Sequence, residues 1–165
     1  MKVISFSLNP ADIRRAISEL QEYKAWVKNR AEELIKRLAA EGFEIAKEGF
    51  DDAIVDEGQH TPKTECSLVS EGNGYTIYAI GDEVMFIEFG AGVYYNGTGS
   101  HPEKPAGLAG IGEYGHHLGK LQSWHYERNG EKHTTHGTPA QMPMYKAKAA
   151  MRNRFIELAR EVFSE

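Results

Sequence analysis

The apolar run at residues 83–95 is the feature that most constrains what this chain can fold into. Its first seven residues predict a strand, in which side chains point alternately to two faces. Both faces are apolar, with Val84 and Phe86 on one and Met85, Ile87 and Phe89 on the other. A strand of this kind is normally central in its sheet. The run therefore predicts a central strand that the rest of the chain covers on both sides.

Glu88 interrupts this pattern, because it shares the face of Val84 and Phe86 and stands two residues before Gly90. An unpaired buried charge is very costly. The carboxylate is therefore expected to reach the margin of the sheet or to find hydrogen-bond donors. We interpret Glu88 as a structural rather than a catalytic carboxylate.

Composition indicates a single domain and disfavours several classes of function. A chain of 165 residues can form one domain with a real core but is short for two, so residues 1–165 are interpreted as one domain. The formal net charge of -5 disfavours nucleic-acid binding through bulk positive charge. Cys66 is the sole cysteine, which suits a reducing cytoplasm. We find neither a signal peptide nor a membrane span, and expect a soluble protein.

Helical signals occupy the first third of the chain. Asn9 and Pro10 predict a helix start, and apolar residues at steps of three and four continue the helix over residues 10–41. Gly42 is expected to end or bend it. Helical spacing then resumes over residues 43–53, which predicts a second helical segment.

A second amphipathic pattern predicts a terminal helix over residues 142–163. Its opposite face is basic, with Lys148 and Arg152 among its members. DNA phosphates could bind such a face. The negative net charge of the whole chain indicates that this face meets solvent or an acidic partner surface instead. DNA contact is therefore possible but not favoured.

Three short β-rich runs at residues 66–70, 75–80 and 83–89 predict an antiparallel meander within residues 64–89. Asn-Gly and Gly-Asp turns separate them. If Gly81-Asp82 is a two-residue turn, Ile80 pairs with Glu83 and Tyr75 pairs with Glu88. The fold class is thus α+β, with long N-terminal and C-terminal helices packed on a small meander.

Residues 90–138 form a long excursion before the last helix and hold eleven of the seventeen glycines and six of the seven histidines. Loops of this length are usually functional or disordered. Within the excursion, Asn129-Gly130 between two β-rich runs predicts a hairpin. Residues 96–119 show no periodicity and are expected to gain order from contacts outside the monomer.

Four histidines form the sharpest candidate metal set: His116, His117, His133 and His136. Neutral imidazole is a common ligand of zinc and copper, so a metal-dependent hydrolase is the alternative function. The motif His-Glu-x-x-His is absent, and residues three apart in a strand point to opposite faces. Solvated or interface histidines are the simpler interpretation, and we expect neither a metal nor another cofactor.

No nucleophile or phosphate site is indicated by the remaining motifs. Cys66 shares a strand face with Leu68, which is typical of a small buried apolar residue. No nucleophile elbow occurs. Gly119-Lys120 leads into Leu121 rather than Ser or Thr, so the phosphate-binding loop motif is missing. We therefore expect no catalytic residue and no small-molecule substrate.

Two motifs in the chain resemble the gene-product-ten-like phage tail-component family. The first is Phe-Ile-Glu-Phe-Gly at residues 86–90, and the second is Pro-Ala-Gln-Met-Pro-Met at residues 139–144. The order of long helix, meander, excursion and terminal helix is similar as well. Two features depart from the family, namely Met142, which is an extra residue in the Pro-Ala-Gln-Pro pattern, and the long excursion.

The resemblance implies a structural protein of the neck or tail-completion region in a long-tailed phage or prophage, with no enzymatic activity. Such a protein joins heads to tails or completes the tail as part of a homo-oligomeric ring, and its partners are other neck and tail proteins. It would be assembled in the bacterial cytoplasm and located in the virion. Neither a membrane nor a small-molecule substrate is implied.

Candidate assembly residues come from the two motifs and from the aromatic side chains of the excursion, which offer large contact areas on an adaptable backbone. The set comprises Glu88, Phe89, Gly90, Tyr94, Tyr95, Tyr114, Trp124, Tyr126, Met142 and Met144.

Overall fold

Two long helices and two small antiparallel sheets make up the fold, as seen in a computed structural model that describes residues 7, 9–55, 61–90, 101–103, 123–135 and 137–164. The elements in chain order are α1 (Pro10–Asp51), β1 (Glu65–Glu71), β2 (Gly74–Ile80), α2 (Val84–Phe89), β3 (Trp124–Arg128), β4 (Glu131–Thr135) and α3 (Pro143–Ser164). The α+β class and the two long flanking helices are therefore confirmed.

Helix α1 starts where local signals place it. The Asn9 side chain accepts hydrogen bonds from the backbone N–H groups of Ala11 (3.0 Å) and Asp12 (2.9 Å), and Pro10 occupies the first helical position. The helix then runs for 42 residues, a length of about 63 Å at 1.5 Å per residue.

Gly42 does not end α1, which continues without interruption to Asp51, so the helical character of residues 43–51 is confirmed. The glycine is buried beneath α3, and a Cβ atom there would lie 2.5 Å from the Met151 sulfur. A mid-helix glycine costs about 1 kcal/mol relative to alanine. The close approach of the two helices outweighs that local preference.

Helix α3 runs antiparallel to α1. Its first residue, Pro143, meets Gly49 near the end of α1, where an added Cβ would lie 2.8 Å from the proline Cβ. Further along, Leu158 and Val162 form a buried cluster with Leu34. The predicted terminal helix is confirmed with a shift of one residue at each end.

The hairpin β1–β2 packs on the last turns of α1. Glu65 pairs with Ile80 and Glu71 pairs with Gly74, which leaves a two-residue turn. Cys66 and Ala79 face the buried cluster of Phe50, Ala53, Val55 and Ile87. These two predicted strands are confirmed, and they bring the main core to the C-terminal end of α1.

The predicted third strand is wrong, because Val84–Phe89 is the short helix α2. The meander pairings of Ile80 with Glu83 and of Tyr75 with Glu88 do not form. Instead Ile80 pairs with Glu65, and the N–H of Gly90 bonds the carbonyl of Phe86 at 2.8 Å in a helical turn. A short apolar run cannot distinguish a strand from a helical turn by periodicity.

The second hairpin, β3–β4, is confirmed within the excursion. Arg128 pairs with Glu131 across a turn of Asn129 and Gly130, whose φ angles are 53° and 81°. Two positive φ angles are what a type I′ turn requires, and Asn-Gly is its preferred sequence. The predicted three-stranded meander is thus reduced to the two strands β1 and β2, and β3–β4 forms a separate two-stranded sheet.

Candidate functional site

The carboxylate of Glu88 caps the N-terminus of α3. Its two oxygens accept hydrogen bonds from the backbone N–H groups of Met144 (2.8 Å) and Tyr145 (2.9 Å), and Glu88 is 5% exposed. The N–H of Lys146 bonds the carbonyl of Met142 at 2.9 Å, so the cap position is held by a methionine, whose side chain offers no strong acceptor. Glu88 therefore supplies from α2 the acceptor that α3 lacks, at the positive end of the helix dipole.

His101 completes the cap from the excursion. Its Nε2 lies 2.9 Å from a Glu88 oxygen, while its Nδ1 accepts a hydrogen bond from the backbone N–H of Glu103 at 3.0 Å. A nitrogen that accepts carries no proton, so the imidazole is the Nε2–H tautomer and donates to Glu88. The ring packs 4.6 Å from that of Phe89 and 5.2 Å from that of Tyr145. Three donors thus hold one buried carboxylate.

Gln141 ties the same region to the end of α1. Its backbone N–H bonds the carbonyl of Ile87 at 2.8 Å. Its side-chain amide accepts from the N–H of Ile54 (3.0 Å) and donates to the carbonyl of that residue (2.8 Å). We call Ile54, Ile87, Glu88, His101 and residues 141–145 the cap junction. It joins α1, α2, α3 and the excursion through hydrogen bonds.

Met142 adopts a strained backbone conformation within the cap junction, with a φ angle of 60°. Non-glycine residues rarely occupy this region. The neighbouring bonds of Gln141 and Lys146 hold the backbone on both sides. Met142 therefore lies at the turn where the chain enters α3.

A cleft of about 310 Å³ lies beside the cap junction. Its apolar walls include Val84, Met85 and Phe89. At its rim the Lys148 ammonium donates to the Glu103 carboxylate at 2.6 Å, and this hydrogen bond lowers the pKa of the Glu103 carboxyl. The cleft lining thus combines apolar side chains with Glu88, His101 and the Lys148–Glu103 ion pair.

Five of the ten candidate residues meet in or beside the cap junction: Glu88, Phe89, Gly90, Met142 and Met144. Tyr126 lies elsewhere, on β3, with its ring stacked 5.2 Å from that of His133. Trp124 begins β3, but its side chain is outside the described part of the molecule. Tyr94, Tyr95 and Tyr114 also lie outside the described residues, as does the segment 104–122.

Sequence reasoning missed His101, Tyr145 and the role of Gln141 as functional parts of the cap junction. A usable signal existed, because α3 begins at Pro143 after a residue whose side chain cannot cap. A helix start without Ser, Thr, Asp or Asn needs an acceptor from elsewhere. Glu88, an acid in an apolar run, is the residue that could supply this acceptor.

Of the predicted metal set, only His133 is described, and it stacks on Tyr126. His116, His117 and His136 fall outside the described ranges. Within those ranges, no three or more His, Cys, Asp or Glu side chains are grouped to hold a metal ion. Burial raises the pKa of the Cys66 thiol, which keeps it protonated and weakly nucleophilic near neutral pH.

The cap junction holds α2, His101 and the first turn of α3 together, because its buried carboxylate accepts three hydrogen bonds. Among the helices that the structure describes, none has the length and apolar character needed to cross a bilayer. Comparisons of the chain with known protein families, with curated proteins and with solved structures found no match.

Proposed function

We propose that this protein is a structural component of a phage or prophage virion, at the neck or tail-completion position, where it contributes to head–tail joining or tail assembly. The observation that carries the proposal is the contact between the two motifs of the family resemblance. Glu88 of the first motif bonds the backbone N–H of Met144 in the second. The residues of the two motifs therefore lie in one hydrogen-bonded corner of the fold.

The hydrogen bonds of Glu88 support a structural role for this residue over a catalytic one. A general acid or base must be able to reach a proton on the substrate. Glu88 is buried, and its two oxygens already accept hydrogen bonds from three donors on α3 and His101. The hydrolase alternative rests on four histidines, of which the structure describes only His133.

The surface is also suited to assembly. Large apolar side chains remain well exposed around the C-terminal end of α1 and the first sheet, including Ile54 (59%), Ile80 (64%) and Phe86 (37%). Single exposed apolar residues are normal, but a concentration of them is typical of contact surfaces. Neighbouring subunits of a ring would remove these side chains from water.

The proposal is tested in the phage or prophage that encodes the chain. Deletion of the gene should leave separate heads and tails, or incomplete tails, in electron micrographs of lysates. Expression of the wild-type chain from a plasmid should restore joined particles, and labelled antibody should mark the neck or tail end of intact virions.

Two results would contradict the proposal. One is a normal yield of infectious, joined particles from the deletion. The other is the absence of the protein from purified wild-type virions by mass spectrometry. A matched control is the plasmid carrying an early stop codon, which should not restore assembly.

A further inference from the structure

Helix α1 is about twice as long as the helix that covers it. Helix α3 has 22 residues against the 42 of α1, and its last aromatic residue, Phe163, packs against Trp26 with ring centroids 5.7 Å apart. We call residues 10–25 the α1 extension. It continues past the end of α3 by about 24 Å at 1.5 Å per residue.

The α1 extension carries an exposed apolar line. Ile13, Ile17 and Leu20 are 37%, 49% and 55% exposed, at steps of four and three that place them on one helix face. Ala16 beside this line is buried, whereas Ile17 and Leu20 stay 49% and 55% exposed, so the free surface is centred on those two side chains. Such a line is the pattern that a partner helix covers.

The exposed line points along the face of α1 that α3 covers, since Leu34, which packs against Leu158 and Val162, lies about four helical turns after Leu20. Tyr23 stacks on Trp26 at 5.7 Å, and Trp26 in turn meets Phe163 of α3. A helix placed on the extension would therefore occupy the position that a longer α3 would have taken. It would also run in the direction of α3, which is antiparallel to α1.

A second copy of the extension fits this position. It has the required length, and the charge of the extension is divided along the helix. Asp12, Arg14 and Arg15 sum to +1 in its first half, while Glu19, Glu22 and Lys24 sum to -1 in its second half. Antiparallel pairing brings opposite charges together, whereas parallel pairing brings like charges together.

Parallel pairing has a second disadvantage. It would bring the two α3 helices, which lie on the same side of each α1, into one space just beyond Trp26. In the antiparallel arrangement, each α3 ends where the extension of the other copy begins. Such a two-fold contact uses the same surface of both copies and closes on itself.

We propose that the α1 extension is a self-association surface, on which a second copy of this chain packs antiparallel with Ile17 facing Leu20 of the other copy. The inference does not rest on the proposed virion function, because it concerns the isolated chain in solution. Ile13 then comes level with Lys24 of the other copy at each end of the contact.

The first test is the mass of the purified full-length chain by light scattering after size-exclusion chromatography. We expect twice the 18.5 kDa chain mass, falling towards one chain mass on dilution. Leu20→Glu should give a monomer with unchanged helical circular dichroism. The matched control is Ile156→Glu on α3, since Ile156 is 56% exposed and Leu20 55% exposed; it should remain dimeric.

The second test is orientation, in a Cys66→Ser background. An equimolar mixture of Ile13→Cys and Lys24→Cys chains should form a disulfide between the two variants on mild oxidation, and Ile13→Cys alone should not form a dimer. A wild-type monomer at all concentrations, a dimeric Leu20→Glu variant or a disulfide between two Ile13→Cys chains would overturn the inference. None of these results depends on virion assembly, so the two proposals fail separately.

Discussion

The carboxylate of Glu88 accepts a hydrogen bond at 2.9 Å from the backbone N–H of Tyr145, 57 residues further along the chain. The same carboxylate binds the N–H of Met144 and the imidazole of His101. One buried acid therefore sets the position at which α3 begins. Because Glu88 belongs to α2, this contact also ties α2 to the first turn of α3.

Replacement of Glu88 should lower the free energy of unfolding more than replacement of an exposed glutamate. Glu88→Ala leaves two backbone N–H groups and the His101 N–H without their acceptor, and we expect a loss of about 3 to 5 kcal/mol in the free energy of unfolding. Glu88→Gln keeps the shape but can accept with one oxygen only, so a loss of about 1 to 3 kcal/mol is expected. Urea unfolding followed by circular dichroism measures both.

Glu48→Gln serves as the control for these variants, because Glu48 is an exposed glutamate on α1. Its effect should stay within about 0.5 kcal/mol. A cost for Glu88→Ala as small as that of the control would show that Glu88 does not hold α3.

His101 and Glu88 should be energetically coupled. His101→Ala removes one of the three donors and the ring that packs between Phe89 and Tyr145. In a double-mutant cycle with Glu88→Gln, we expect an interaction energy of about 1 to 3 kcal/mol, which is typical of residues in one buried network. Additive effects of the two substitutions would argue against the bond.

Gly81→Ala should cost more than Gly72→Ala. Both glycines have a positive φ angle, at 155° and 59°. A Cβ at Gly81 would collide with the backbone carbonyl oxygen of Lys63, which cannot rotate away, whereas a Cβ at Gly72 meets nothing within 4 Å. We expect about 1 to 2 kcal/mol for Gly72→Ala from backbone strain, and at least about 1 kcal/mol more for Gly81→Ala. Thermal unfolding of the two variants compares them, and equal midpoints would contradict this ranking.

The hairpin β1–β2 carries a link that depends on pH. The Tyr78 hydroxyl donates a hydrogen bond to the Glu71 carboxylate at 2.6 Å. This bond is the main cause that lowers the pKa of the Glu71 carboxyl, and a hydrogen bond from Thr76 lowers it further. The bond between Tyr78 and Glu71 also raises the pKa of Tyr78. A lowered carboxyl pKa stabilises the fold above the unfolded value, near pH 4, and this contribution is lost as pH falls through the folded value. A raised phenol pKa stabilises below about pH 10 and is lost as pH rises through the folded value.

Tyr78→Phe should therefore raise the pKa of Glu71 towards its ordinary value. NMR titration of the Glu71 side chain measures the change directly. Tyr75→Phe is the control, since Tyr75 lies on the same strand and pairs with Ser70. An unchanged Glu71 titration in Tyr78→Phe would show that the bond does not form in solution.

Local signals predicted some elements well. Asn9 and Pro10 marked the start of α1, and Asn129-Gly130 marked the turn of β3–β4, because a cap or a two-residue turn depends on the residues beside it. The strand at residues 83–89 was predicted wrongly. In the helix that forms instead, the Ile87 side chain is buried and the Phe86 side chain is exposed. Only the packing of Ile87 against Phe50 and Val55 selects that arrangement.

The sequence by itself determined the two long helices, the two hairpins and the presence of one acid in an apolar run that had to find donors. Only the tertiary structure decided that Gly42 continues α1 beneath Met151 and that Glu88 caps α3 together with His101. Caps, turns and amphipathic stripes are set by neighbours along the chain. The partners of Gly42 and Glu88 come from segments distant in the sequence, and no local pattern carries information about which distant group fills a space or accepts a hydrogen bond.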